Sequence, residues 1–233
     1  MINTESIPNT FDGNKVISEG NILAIDTTSR YGSVSLYKSG NPNLFVSFID
    51  DANGHDELLT ACILKTLKAA DIGISDIDKV LVSNGPGAFT GLRIGLSYAK
   101  GLCAALGIDL ITCDTLQAAA SSKKSDSDIA IVRHSHAEVY YVGHSYGSSQ
   151  LVEGSEHIDS IIDQVSESQA IRFTRIEEVP KPELDDSSIS ALDILKAYLQ
   201  NPSSDMFQTS EAGIEAKPYY RQLFEPSKST KKL

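Results

Sequence analysis

Cysteine, basic residues and long apolar runs are all scarce in this 233-residue chain. Its three cysteines, Cys62, Cys103 and Cys113, leave one unpaired in any disulfide scheme, and none stands at CxxC spacing. That excludes a cysteine-cluster zinc site and fits a reducing compartment, the cytoplasm. No apolar stretch approaches the ~18 residues of a membrane span, and the polar opening 1–20 has no signal-peptide core, so no membrane association is expected. Lys and Arg number 20 against 31 Asp and Glu, a formal charge of −11. Such a balance argues against this chain alone gripping a phosphate backbone. What is present is a globular composition, 41% hydrophobic. At this length it makes one large domain or two small lobes, able to bury roughly 70% of the unfolded surface without staples.

Residues 1–20, polar and carrying Pro8, Gly13 and Gly20, read as a flexible extension. Order is expected from Asn21. Ile22–Ile25 is a short apolar strand ending in Asp26-Thr27-Thr28, Ser33–Tyr37 alternates at period two, and Leu44–Ile49 follows a turn at 38–42. A helix over 56–70 carries Leu58, Leu59, Cys62, Ile63, Thr66, Leu67 and Ala70 along one side. Val80–Val82, a helix over 90–106 and Leu110–Cys113 complete a first lobe, 21–115. The second half repeats that order less clearly. A hairpin joins Ile129–Val132 to Val139–His144; then come a helix near 155–164, a strand at 170–174, and a helix over 188–200 with Ile189, Leu192, Leu195 and Leu199 on one face. The expectation is an α/β chain with the duplicated two-lobe architecture of actin, sugar kinases and Hsp70-type ATPases (ASKHA). Its second lobe, 116–221, is reduced, its end able to pack back on the first, with a flexible tail at 222–233.

The most informative segment runs from Ser83 to Gly95. A strand ends, Gly85 and Gly87 permit a sharp turn, and Thr90 is placed to cap a helix. Backbone N–H groups at such a turn suit an anion. Yet no GK[ST] follows, and the position three after Gly87 is Thr90, so both the P-loop and the dinucleotide pattern fail. Arg93, a cation in the first helical turn, opposes the helix dipole and calls for a carboxylate or anion. Asp26 is the candidate, either as a brace between strand and helix or as part of a ligand site with Thr27. Within the helix, Gly91, Gly95, Ala99 and Cys103 recur every four residues. Helical glycine costs ~1 kcal/mol against alanine, so this stripe implies a close backbone approach. The neighbour is either the 56–70 helix or a helix of a second subunit.

These residues form a known pattern. Ile22-Leu23-Ala24-Ile25-Asp26-Thr27-Thr28-Ser29 with Gly32–Leu36, and above all Gly85-Pro86-Gly87-Ala88-Phe89-Thr90-Gly91-Leu92-Arg93-Ile94-Gly95 running on through Ala99–Leu102, closely resemble the TsaB (YeaZ) family. His55-Asp56-Glu57-Leu58-Leu59 and the closing Lys217-Pro218-Tyr219-Tyr220-Arg221 are similar to it as well. The resemblance covers roughly 21–221 and is stronger in the first half. It implies a catalytically silent subunit in the synthesis of threonylcarbamoyladenosine, the modified base beside the tRNA anticodon. Such a subunit dimerises with a TsaD-like enzyme through its two first-lobe helices. The implied interface is Leu58, Leu59, Cys62, Gly91, Gly95, Tyr98, Ala99, Leu102 and Cys103. A TsaE-like ATPase joins the complex, ATP acts at the complex and the metal sits on the TsaD-like partner, so this chain needs no cofactor. tRNA contact is then indirect, and the isolated chain is expected to homodimerise.

The alternative is an actin-like ATP-binding or ATP-hydrolysing enzyme using Asp26, Thr27 and the Gly85–Gly87 turn. Against it, no glycine turn follows 170–174, and Arg133-His134-Ser135 replaces the family's usual Asp-Ala-Arg. Leu59 stands four after His55, where a TsaD-like metal site has its second histidine. His134 and His136 could share a strand face, but no third metal ligand is evident. No GxSxG elbow or Ser–His–Asp spacing is present.

Overall fold

The computed structural model describes residues 2–9, 20–29, 31–49, 55–85, 87–122, 128–133, 139–144, 154–156, 171–174, 184–185 and 189–218. The first lobe is built on β1 (Ile2–Pro8), β2 (Asn21–Asp26), β3 (Gly32–Tyr37) and β4 (Asn43–Ile49), then α1 (His55–Ala69), β5 (Ile77–Gly85), α2 (Phe89–Leu106) and β6 (Leu110–Asp114). After α3 (Thr115–Ser121) come β7 (Asp128–Arg133), β8 (Val139–His144), β9 (Gly154–Glu156), β10 (Ile171–Thr174), β11 (Leu184–Asp185), α4 (Ala191–Gln200) and β12 (Phe207–Ser210).

The strands make two sheets, ordered β1-β4-β3-β2-β5-β6-β12 and β11-β10-β7-β8-β9. In the first, β2 pairs parallel with β5, and β5 with β6, while β3 and β4 form an antiparallel meander on the other side of β2. In the second, β7 pairs parallel with β10, and β10 with β11, while β8 and β9 continue antiparallel from β7. The order β4-β3-β2-β5-β6 therefore recurs as β9-β8-β7-β10-β11. This is the actin-like duplication that the element order implied, with short outer strands in the second copy.

Strand β2 shows why the sequence folds this way. A continuous apolar run suits a strand covered on both faces. Leu23 and Ile25 join Leu59, Ile63 and Leu96 on the α1/α2 face, whereas Ile22 and Ala24 join Ile194, Leu195 and Tyr198 on the opposite face. Helix α4 thus covers the first-lobe sheet, against β2, β3 and β5, and is no part of the second lobe's sheet. Its expected single apolar stripe is also corrected. Ala191, Asp193, Ile194, Leu195, Ala197, Tyr198 and Leu199 are all buried and Leu192 is half-buried, because the helix lies between the sheet and α3. Asp193 accepts from the Ser190 amide at 2.9 Å and from Ser122 Oγ at 2.8 Å, fixing the start of α4 to the end of α3.

Three further readings change. Residues 2–8 are not a flexible extension: they pair antiparallel with β4 along its full length. Residues 154–156 form strand β9, where a helix near 155–164 was expected, and 157–164 lie outside the described residues. Residues 207–210 add a last antiparallel strand to β6. The tail at 222–233 also lies outside the described residues.

Candidate functional site

The sequence placed Asp26, Thr27, Gly85, Gly87, Thr90 and Arg93 together, and the fold brings the first four into one junction. β2 ends at Asp26 beside the end of β5, where Gly85 takes φ +124°, a value suited to glycine, as the chain turns toward α2. The Ala88 amide donates to the Thr28 carbonyl at 2.9 Å, folding the turn down onto the 26–29 segment. A Cβ on Gly87 would run into the Thr28 side chain and carbonyl. Thr28 thus packs directly against Gly87, where a larger residue's Cβ would stand.

Asp26 is fully buried. Its Oδ1 accepts from Ser83 Oγ at 2.5 Å, Thr28 Oγ1 at 2.7 Å and the Thr28 amide at 3.3 Å. Oδ2 lies 3.0 Å from Ser29 Oγ, and that hydroxyl also lies 2.6 Å from the Ile189 carbonyl. Ser29 has one proton to give, and the carbonyl can only accept. Ser29 therefore shares its one proton between Asp26 and the Ile189 carbonyl, unless the Asp26 carboxyl carries a proton of its own. Burial favours such a proton: it raises the Asp26 pKa above the usual 3.8, with the bonds from Ser83, Thr28 and Ser29 pulling the other way. Asp26 is therefore a buried hub joining β2, β5 and the segment that leads into α4. Ser33 strengthens the joint by accepting from the Ala191 amide at 2.8 Å.

Arg93 is consequently not the partner of Asp26. It is exposed at the start of α2, its guanidinium 3.9 Å from the centre of the Phe89 ring. The carboxylate it was expected to meet is taken by hydroxyls two, three and 57 residues away in sequence. Thr90 does not cap the helix either: α2 begins at Phe89, the cap position is Ala88, and Thr90 is exposed in the first turn.

The glycine stripe does mark a close approach, but to a strand end rather than a helix. A Cβ on Gly91 would collide with the Thr27 backbone carbonyl, and one on Gly95 with Thr27 Oγ1. Thr27 Oγ1 donates to the Gly91 carbonyl at 2.6 Å, so helix and strand end are locked together. Gly91, Gly95, Ala99 and Cys103 are all buried within this one chain, as are Leu59 and Cys62, which face the sheet from α1. These six cannot also form an outer interface. Burial pushes the Cys62 and Cys103 thiols up to about 12, so neither is a reactive group at neutral pH.

Leu58, Tyr98 and Leu102 remain half-buried at the margin of the same core. Their place follows from the sheet order. α1 lies over β1, β4 and β3, and α2 over β5, β2 and β6. Lys100, on one flank of α2, donates to the Ala216 carbonyl at 3.1 Å, on the β12 side. The opposite flank, with Ile94, Tyr98 and Leu102, therefore looks toward α1, whereas Leu58 shares a flank of α1 with Lys65, which donates to the Ile2 carbonyl, and so faces β1. The two helices barely touch, leaving an apolar strip along their seam that the sequence reading had only partly named. Ile94 could have been found from its spacing, four before Tyr98 and eight before Leu102.

Among the described residues, no group of three His, Cys, Asp or Glu side chains could hold a metal ion, and no helix is long and apolar enough to cross a membrane. The altered hairpin at 133–136 lies almost wholly outside the described residues.

Comparison with known proteins adds a lineage. The family model for TsaD, tRNA N6-adenosine threonylcarbamoyltransferase, matches residues 50–221. The Escherichia coli tRNA threonylcarbamoyladenosine biosynthesis protein TsaB is 27% identical over 139 residues, 58% of this chain and 59% of that protein. Its Buchnera aphidicola counterpart is 30% identical over 145 residues, 60% of this chain and 68% of that protein. A tRNA N6-adenosine threonylcarbamoyltransferase of Ruegeria pomeroyi is 35% identical over 79 residues, 34% of this chain and 22% of that protein. The chain thus spans about three fifths of the E. coli relative's length. YeaZ from Pseudomonas aeruginosa shares the fold, with a TM-score of 0.62 at 20% identity over 87% of this chain and 100% of that one. With the actin-like duplication, the Gly85–Gly95 string and these matches in hand, the chain belongs to the TsaB (YeaZ) family, within the wider group that the threonylcarbamoyltransferase model describes.

Proposed function

We propose that this chain is a non-catalytic subunit in the synthesis of threonylcarbamoyladenosine on tRNA, seating a TsaD-like enzyme on the α1/α2 seam. The observation that carries the reading is the apolar strip of Ile94, Tyr98 and Leu102, half-buried along the flank of α2 that faces α1. Leu64, 53% exposed, extends apolar surface along α1. Contiguous apolar surface of this kind marks an interaction site. The names of the TsaB relatives supply the pathway. The 79-residue likeness to a threonylcarbamoyltransferase supplies the partner class, since two related lobes can meet helix pair to helix pair. In the absence of the enzyme, a second copy of this chain takes the same strip.

The candidate site supports the absence of catalysis here. Asp26 is engaged by the chain's own hydroxyls, and Thr28 packs against Gly87, so these residues are committed to the fold. ATP and metal belong to the partners in this reading, a TsaE-like ATPase among them. With a charge of −11, this chain leaves tRNA to basic surfaces elsewhere.

The test is size-exclusion chromatography with light scattering, on this chain alone and with the TsaD-like protein of the same organism. The expected outcome is a homodimer that converts to a one-to-one heterodimer. Leu102→Glu should weaken the heterodimer by about 100-fold, roughly the 2–3 kcal/mol of a central apolar anchor. Heterodimer formation with unchanged affinity in Leu102→Glu and Tyr98→Glu would place the interface elsewhere.

A further inference from the structure

The outer strand β1 is held mainly through its backbone. Five of its seven residues are exposed, yet its register on β4 is fixed from both faces. Ile2 packs into the core under α1, and Ile7 into the core on the α4 face. Between them Thr4 Oγ1 sits 2.8 Å from Ser47 Oγ, which lies 2.7 Å from Thr66 Oγ1 on α1. A one-residue slip would invert every one of these contacts.

Beneath β1, strand β4 reads Leu44-Phe45-Val46-Ser47-Phe48-Ile49, an apolar edge that readily takes another strand. β1 replaces it with Asn3, Thr4, Glu5, Ser6 and Pro8, a polar edge ended by proline. Little apolar area holds β1 in place, the pattern of segments at the low-stability end of a fold. Residues 10–19 join it to Gly20, a span of up to ~35 Å when extended, enough to reach the edge of a neighbouring copy.

We propose that the β4 edge is a strand-docking site, and that its occupant Ile2–Pro8 exchanges between copies of this chain. The site selects an extended segment with a hydroxyl at the Ser47 position and aliphatic side chains two residues before and three after it, on opposite faces. The segment from a second copy satisfies all of these by identity. The interface is separate from the α1/α2 seam and does not depend on the function proposed above.

The test uses full-length chains carrying single cysteines. Glu5 and Val46 stand directly opposite in the register, and the native cysteines are buried. Opposed residues of an antiparallel pair have Cα separations within disulfide reach. A Glu5→Cys chain mixed with a Val46→Cys chain can form a disulfide only if β1 of one lies on β4 of the other. With an in-chain effective concentration of ~1 mM, about one tenth of the edges should hold a foreign strand at ~100 µM chain. A covalent heterodimer should then appear at about tenfold or more over the mismatched mixture of Glu5→Cys with Ser47→Cys, whose side chains lie on opposite faces. Thr4→Cys with Ser47→Cys provides a second matched pair should Val46→Cys fail to fold. The double variant Glu5→Cys/Val46→Cys should close within one chain. Heterodimer no more abundant than in the mismatched mixture would overturn exchange, and a double variant that does not close would overturn the docking site itself.

Discussion

Gly91→Ala is expected to destabilise the first lobe by about 3 kcal/mol or more, lowering Tm by roughly 6–12 °C. Inside a helix this substitution normally stabilises, by ~1 kcal/mol, because alanine has less backbone freedom to lose. Here the sign reverses, since the added Cβ meets the Thr27 backbone carbonyl and neither the helix nor the strand end can yield cheaply. The buried bond from Thr27 Oγ1 to the Gly91 carbonyl is strained by the same displacement. Gly101→Ala, ten residues along the same helix, is the matched control. It is exposed, with nothing within 4 Å of its added Cβ, and should raise Tm by about 1–4 °C. Thermal unfolding by circular dichroism separates the two. A Gly91→Ala variant melting at or above wild type would remove the strand-end lock.

Asp26 carries the second large effect. Asp26→Ala strips Ser83, Thr28 and Ser29 of their common partner in a closed site and should cost about 2–4 kcal/mol at neutral pH. Asp26→Asn should stay within ~1 kcal/mol of wild type. Its amide oxygen accepts from Ser83 and Thr28, and its NH2 donates to Ser29 as a protonated carboxyl does. The pH dependence follows from the raised pKa. Above the usual 3.8 the unfolded chain has released this proton while the folded chain keeps it, so the Asp26 contribution to stability falls as pH rises through the folded pKa. Below 3.8 both states are protonated and the penalty vanishes. Tm measured across this range should therefore decline less steeply toward neutral pH in Asp26→Asn than in wild type. Parallel curves for the two proteins would mean that Asp26 is ionised in the fold.

These residues also show what the sequence could and could not convey. Helix α2, expected over 90–106, runs from 89 to 106, and α1, expected over 56–70, runs from 55 to 69, because period-four apolar spacing and a glycine-rich start are local signals. The small-residue stripe correctly announced a close backbone approach, but local sequence does not say whose backbone. A strand end 64 residues earlier gives the same pattern as a partner helix. Arg93 and Asp26 were paired on charge alone. The run Asp26-Thr27-Thr28-Ser29 held the better clue, since hydroxyls that near can serve a carboxyl group without any cation. Strand β1 was missed because only Ile2 and Ile7 in it are aliphatic and they face opposite sides, leaving no alternation to detect. β12 escaped for a similar reason, being four residues long on a sheet edge.

The first lobe's dependence on the end of the chain has a consequence for its synthesis. Ile22, Ala24, Leu81 and Ile111 lie on a sheet face covered by α4, and β6 acquires its outer neighbour only with residues 207–210. At roughly 5–20 residues per second, translation of the ~96 residues between β6 and the end of β12 takes about 5–20 s. Throughout that interval the nascent sheet presents a bare apolar face and an open strand edge, so the emerging chain is a natural client for a holding chaperone until α4 arrives.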